Sequence, residues 1–497
     1  NLTGGLNTFI GALAGLCNKG SNNTSLGYST LRFNQAGCYN TAIGINSMYC
    51  NTNGTFNAAL GYAALFSNTT GTQNTATGIE TLKNNTTGSY NVAVGTTALC
   101  SNTSGHCNVA MGRLALRLNT SGCQNVAIGE AAMCKNTTGI RNVALGRAAL
   151  FNNTTGCYNV GLGYGAGDSI TTGSKNIAIG GFSLQALTTN SSNVAVGYES
   201  QCANTSGNYN VTVGDSAGRK GTSAEGSTAI GFAALCANLT GGDNTAVGNQ
   251  ALRNTICGCN VAVGACALYS NTCGERNIAI GRLTFCKNTT GCNAVAVGNE
   301  ALRCNTTGIR NVSVGAYAGC CNTTGADNVY MGYAAGLCNC TTNNSVGIGF
   351  YALMKNQCAG NTAVGAYGLM CNTTGLYNTA VGYASQNYTT TGGGNTSLGY
   401  QALYLNNESS AAHNTAVGSF ALANNSFGGC NVAVGTCALQ ANTTGGNNIA
   451  MGFRAMCSNT TASNNIAIGR DAMCTNTTGC EIVAVGMCAL RNNSLGC

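Results

Sequence analysis

Polar and apolar positions alternate in a short pattern that recurs along the whole chain. One copy reads Asn91-Val92-Ala93-Val94-Gly95, then Ala98-Leu99, then Asn102-Thr103-Ser104-Gly105. The general unit is N-[TV]-A-[VI]-G-x-x-A-L-x-x-N-T-T-G-x-x. Its marker glycine recurs at Gly11, Gly27, Gly44, Gly61, Gly78, Gly95 and onward to Gly486, usually 17 residues apart, which makes 29 units. Three spacings shorten to 16 (Gly11 to Gly27, Gly248 to Gly264, Gly349 to Gly365), and one, Gly399 to Gly418, lengthens to 19. Length alone would suggest roughly three or four domains. No stretch between units reads as a linker, so residues 1–497 are expected to form a single continuous repeat domain.

Each part of the unit has its own local preference. N-T-A-V-G alternates with period two and is rich in β-branched residues, which predicts a short strand. The A-L segment predicts a second short strand or a bend. N-T-T-G is turn chemistry, with Asn tolerating left-handed backbone and Gly supplying positive φ. Helices are disfavoured, because Gly recurs too often and no 3.6-residue apolar stripe is sustained. The expected fold is therefore all-β: a β-solenoid, either a parallel β-helix or a β-roll, of about 29 coils with 17 residues per coil. Coils stacked at about 4.8 Å would make a rod of roughly 135–140 Å. The complete absence of Pro fits strands that are paired on both sides.

The fourth position of the unit is nearly always apolar, as at Ile43, Leu60, Val94, Met111, Ile128 and Leu145, and the ninth is usually Leu or Met, as at Leu65, Leu99, Leu116, Met133 and Leu150. Stacked coil on coil, these two columns are expected to form a narrow core. The third position is usually Ala and faces opposite the fourth. A persistently small residue there implies close approach, by another wall of the same coil or by a neighbouring chain. Phe9 and Tyr330 are exceptions at this position.

The unit resembles the N-T-A-[VI]-G-x-x-A-L-x-x-N-T-T-G repeats of fibre proteins from phages, giant viruses and bacterial surfaces. More loosely, it is similar to the S-V-A-I-G repeats in the heads of trimeric autotransporter adhesins. The resemblance covers essentially the whole chain and implies a fibrous protein, extracellular or on a virion surface, often trimeric. The adhesin heads add the expectation of a left-handed parallel β-roll. The unit here is longer than the adhesin-head unit, and Cys is abundant here but rare in those families.

Composition narrows the function. Only 7% of residues are charged, against about 25% in ordinary globular domains. The net charge of +8 is spread over 497 residues, and bases such as Arg113, Arg117, Arg141 and Arg147 stand singly. No basic stripe for nucleic acid forms. No apolar stretch approaches the length of a membrane span. The two histidines, His106 and His413, lie about 18 units apart, and the 13 acids are scattered. No catalytic constellation emerges, so no enzyme activity and no cofactor or metal site is expected. Gly392-Gly393-Gly394 lacks the strand-to-helix context of a phosphate loop. The chain opens at Asn1 without a signal peptide, as a processed product or a piece of a longer protein would.

The 30 cysteines show phase. Cys257 and Cys259, like Cys338 and Cys340, are C-x-C pairs, too close for a zinc site. Abundant Cys without metal spacing points to an oxidising, extracellular setting. Cys286 and Cys292 flank one turn, as do Cys474 and Cys480, and Cys100 and Cys107. Equal phases recur in successive coils at Cys304, Cys321 and Cys338, at Cys457 and Cys474, and at Cys480 and Cys497. A coil spacing of about 4.8 Å lies within the Cα range a disulfide accepts, so these are candidate disulfides. The alternative is Cys as a small, unpaired turn residue.

The turn also carries the N-x-[ST] acceptor for N-glycosylation. Candidate acceptors at one phase include Asn68, Asn85, Asn102, Asn136, Asn288, Asn305, Asn322, Asn372, Asn442, Asn459 and Asn476. The favoured alternative is an Asn and Thr ladder bonded from coil to coil, because glycans about 4.8 Å apart would crowd.

Three functions fit these features. The first is a structural extracellular or cell-surface filament subunit that associates with itself head to tail through uncapped coil edges, with lateral or trimeric pairing also open. The second is the shaft of a viral or bacterial attachment fibre, on the virion or cell surface; no receptor or glycan partner is legible. The third is an ice-binding solenoid, which is disfavoured because the two Thr of N-T-T-G diverge.

Overall fold

A computed structural model describes residues 4–493. Every regular element among them is a three-residue strand, from β1 (Thr8–Ile10) to β29 (Val483–Val485), one per repeat unit, and there is no helix. The chain divides into two compact units, Asn1–Asn249 and Gln250–Cys497. The first carries β1 to β15 (Thr245–Val247) and the second β16 (Val261–Val263) to β29. Each unit is a β-solenoid, as the repeat predicts.

Within each unit, successive strands pair in parallel and in strict register. Between β6 (Val92–Val94) and β7 (Val109–Met111), Val92 faces Val109, Ala93 faces Ala110 and Val94 faces Met111. The longer spacing does not disturb this. Thr396 of β24 (Thr396–Leu398) still pairs with Thr415 of β25 (Thr415–Val417), and the additional residues are taken up outside the strands.

The core differs from expectation in one respect. The ninth-position Leu and Met are fully buried, as Leu65, Leu99, Leu116, Met133 and Leu150 show. The fourth position is not in the core. Leu60, Met111 and Leu145 expose 48%, 41% and 48% of their surface, and Ile43, Val94 and Ile128 are half-buried. The inward residue of each strand is the third-position Ala, with Ala93, Ala110 and Ala127 fully buried. A three-residue strand turns its middle side chain one way and its outer two the other. Because the Leu column fills the interior, the inward strand residue has to be small. The close neighbour implied by that Ala is therefore the opposite wall of the same coil.

Exceptions at the third position obey the same volume rule. Where the ninth residue is Gly15, the third is Phe9, whose ring occupies the space of the missing Leu. Tyr330 likewise fills the room left at Gly319 and Gly336; a Cβ on Gly319 would lie 2.9 Å from its ring. At Gly167 the gap is filled by Ile170, which stands where the turn Asn would be.

The A-L segment is neither a strand nor a simple bend. Thr97 and Leu99 both have positive φ, 56° and 51°, and so does Tyr90 at 62°. The same phases recur in coil after coil. A non-Gly residue pays about 1–2 kcal/mol for this conformation. Each is held by a bond to a neighbouring coil: Thr97 N–H donates to Ile79 O (2.9 Å), Leu99 N–H to Ala115 O (3.0 Å) and Tyr90 N–H to Thr72 O (3.0 Å). Changing the backbone hand at alternate residues aims one amide at the preceding coil and the next at the following one. The glycine of N-T-T-G, by contrast, does not have the positive φ expected of it. A Cβ on Gly105 would collide with Asn102 Oδ1 and the Gly122 carbonyl, so this position needs Gly for space.

Candidate functional site

The most ordered side-chain chemistry is a pair of asparagine ladders. In the first-position ladder, Asn91 donates to Asn74 Oδ1 through its backbone N–H (3.0 Å) and through Nδ2 (3.1 Å), and Nδ2 also donates to Gly105 O (2.9 Å). In the turn ladder, Asn102 Nδ2 donates to Asn85 Oδ1 (2.7 Å) and to Gly105 O (3.0 Å). Both ladders thus meet on one glycine carbonyl. The backbone donates in the opposite direction, toward the following coil. The amides of Thr103, Ser104 and Gly105 converge on Thr120 O at 2.9, 3.2 and 3.3 Å, and Thr103 Oγ1 adds a fourth donor at 3.0 Å.

All the candidate glycan acceptors belong to this turn ladder. Asn68, Asn85, Asn102, Asn136, Asn288, Asn305, Asn322, Asn372, Asn442, Asn459 and Asn476 are fully buried. Nδ2, the atom a glycan would need, is occupied as a donor along the ladder; Asn136, for example, donates to Asn119 Oδ1 and to Gly139 O.

The ladder is interrupted where its residue changes, and also after Asn322 and after Asn459, whose Oδ1 atoms are buried without a partner although the next coil still supplies Asn. Ile170, Leu187 and Gly221 stand in the Asn place, and Asn153 Oδ1, just before Ile170, is buried without a partner. One coil carries Gly218 in place of the core Leu and Gly221 in place of the ladder Asn. A cavity of about 20 Å³ results, lined by Gln201, Asn204, Thr212, Leu235 and Asn238 among others, with room for a single water. Gln201 Oε1 is buried there without a partner.

The cysteines occupy several environments, and the candidate disulfide residues Cys100, Cys107, Cys286, Cys292, Cys304, Cys321, Cys474 and Cys480 are free thiols. Cys497 lies outside the described residues. Across coils, Cys457 Sγ and Cys474 Sγ approach to 3.1 Å; burial first, then the hydrogen bond with Cys457, pushes the Cys474 thiol up. Cys321 lies within electrostatic range of Cys338 and Cys304. Members of the within-turn sets have different surroundings. Cys286 is half-buried, with Cys266, Arg303, Lys287 and Cys304 as electrostatic neighbours, whereas Cys292 Sγ accepts from Glu275 N–H (3.4 Å). Cys480 Sγ likewise accepts from Ser463 N–H (3.4 Å). Cys100 is half-buried, and burial raises its thiol; Cys107 is exposed. Burial pushes the Cys320 thiol up to about 12.

Two kinds of contact join side chains 17 residues apart. His106 Nδ1 lies 3.0 Å from Cys123 Sγ, which also accepts the His106 N–H at 3.4 Å. His106 is thus an exposed histidine with a thiol beside it. Scattered charges also pair across coils. Glu130 sits between Arg113 and Arg147, and Arg310 binds Asp327 through Nε (2.6 Å) and Nη2 (2.8 Å). The Arg310 guanidinium holds the Asp327 carboxyl below the usual carboxylate range. Such exposed pairs contribute little to stability. The signal for both contacts was the repeat length itself, which places residue i over residue i+17.

Among the described residues, no group of three or more His, Cys, Asp or Glu is placed to hold a metal ion, and no helix is long and apolar enough to cross a membrane. No protein-family model matches the chain, and no curated protein matches it either.

Proposed function

We propose that the chain is the structural subunit of an extracellular fibre, extended by stacking coil on coil. The observation that carries this is the translational self-complementarity of the coil. Each coil presents Asn Oδ1 and turn amides to the following coil and Asn Nδ2 and a turn carbonyl to the preceding one, so every coil surface fits the opposite surface of an identical coil. In the described residues, β1 pairs only with β2 (Thr24–Leu26), and β29 only with β28 (Ile466–Ile468). Val483 and Val485 of β29 are 64% and 67% exposed. The extracellular setting rests on the resemblance of the repeat unit to fibre proteins of virion and bacterial surfaces. With its polar groups spent on coil-to-coil bonds, the chain is best suited to a mechanical role and not to catalysis.

The test is electron microscopy of the purified full chain over a concentration series. Particles are expected to lengthen with concentration at constant width. A chain that keeps a single length at high concentration overturns end-to-end growth.

A further inference from the structure

Within the first unit, one surface is left without cover by any of its described residues. From β6 to β13 (Val211–Val213), every outward strand residue is Val, Ile, Leu or Met. These are sixteen aliphatic side chains over eight rungs, with no polar residue among them. Met111 exposes 41% of its surface, Leu145 48%, and Val211 and Val213 37% each. Six of the sixteen are exposed and ten are half-buried; at about 50 Å² apiece on average, the patch offers about 800 Å². That exceeds the roughly 300–600 Å² of the largest patch on a typical monomer and equals the share of one partner in a standard stable interface, about 800 Å².

The geometry of the patch selects its occupant. Outward residues stand about 6.7 Å apart along a strand, and rungs about 4.8 Å apart, so the face is a lattice of aliphatic knobs. These spacings are shared by every β-sheet, so the lattice accepts another sheet face of matching length. A second copy of this chain has the same period and can seat its knobs between these over all eight, as paired sheets do in a dry zipper. The face carries no charge that would select a different partner. Beside it, two residues beyond Met111, Ile128 and Leu145, stand Arg113, Glu130 and Arg147, which already satisfy one another and form the polar rim such an interface needs.

We propose that two copies of this chain pair through this face, strand surface against strand surface. Because the same patch is used on both copies, the contact closes at two. The pairing adds a lateral contact to the end-to-end fibre proposed above, and neither contact requires the other.

Sedimentation of the full chain tests it, alongside two variants: Met111→Thr/Ile128→Thr/Leu145→Thr, which keeps β-branched character, and Leu145→Lys. The wild type is expected at twice the chain mass or a multiple of it, and both variants at half the wild-type mass with unchanged circular dichroism and melting. If the Lys variant fails to fold, the Thr variant decides. A wild type that runs as a single chain at tens of micromolar overturns the proposal, as does a folded Thr variant that keeps the wild-type mass. Negative-stain images separate the two contacts. Loss of the face pairing halves particle width at constant length, whereas loss of end-to-end growth shortens particles at constant width.

Discussion

Replacing Asn119 by Ala tests whether the turn ladder holds the coils together. Asn119 lies within an unbroken ladder and is fully buried. Its Nδ2 donates to Asn102 Oδ1 (2.8 Å) and Gly122 O (2.9 Å), and its Oδ1 accepts from Asn136 Nδ2 (2.7 Å). Truncation leaves Asn102 Oδ1 without its ladder donor and removes one of two acceptors from Asn136. Gly122 O keeps the bond from Asn108 Nδ2 at 2.9 Å. One orphaned acceptor and one half-satisfied amide cost about 2–5 kcal/mol together, at about 1–3 kcal/mol for each buried group left unpaired. The fold survives this, since it already carries an unpartnered Asn153 Oδ1.

In a repeat protein the loss acts on nearest neighbours, so native-state hydrogen exchange is the appropriate assay. The amides of Thr103, Thr120 and Thr137 should exchange about 30- to 3,000-fold faster, at one decade per 1.4 kcal/mol, while distant coils stay unchanged. Asn119→Asp sharpens the test. Its carboxyl would face Asn102 Oδ1 while buried, which raises its folded pKa above the unfolded value of about 3.9. A raised folded pKa means that stability present at low pH is lost as pH rises, so this variant should approach Asn119→Ala below about pH 4 and fall further behind it above. If Asn119→Ala exchanges like the wild type, or if Asn119→Asp shows no pH dependence, the ladder does not carry the stacking.

Four further outcomes are expected. Gly336→Leu should destabilise the second unit, because Tyr330 occupies that space, and Tyr330→Ala should cost about 3–5 kcal/mol. The triple variant Gly319→Leu/Tyr330→Ala/Gly336→Leu rebuilds the ordinary units and should melt near the wild type; simple additivity of the losses would refute the volume rule. During alkylation of the native protein at pH 8, Cys320, with its thiol at about 12, should remain unmodified while exposed Cys107 reacts; equal labelling contradicts the burial. Cys123 should label several-fold more slowly after His106→Ala, measured peptide by peptide, if the imidazole accepts the thiol proton during attack. Secreted from a eukaryotic host, the folded chain should carry no glycan at ladder asparagines such as Asn102 and Asn305, which intact-peptide mass spectrometry reads directly.

Parts of this organisation were legible in the residues and others were not. The coil, its period, its strand and its turn follow from local preferences repeated many times, so each weak signal is reinforced by its copies. The Asn ladder was foreseeable because one phase repeats a residue whose amide both donates and accepts. The core face was misread at the fourth position. Val94 and Met111 are more apolar than Ala93, but apolar residues also cover much of any protein surface, and here only the volume left by Leu99 and Leu116 decides which side turns inward. The neighbours of His106 and Glu130 are not legible from residues close in sequence, because their partners stand one coil away, 17 residues along the chain.

The amino-acid sequence alone therefore determined the all-β class, the 17-residue period, the absence of helix and the identity of the ladder residues, because these depend on conformational preference within one unit. Tertiary structure alone decided that Ala93 and not Val94 is core, that Gly105 serves space and not backbone hand, that Leu99 is held in a left-handed conformation, and that Phe9 and Tyr330 replace missing leucines. Each of these depends on what the adjacent coil or the opposite wall places within a few ångströms, and on hydrogen bonds between coils that offset local strain no single unit would sustain.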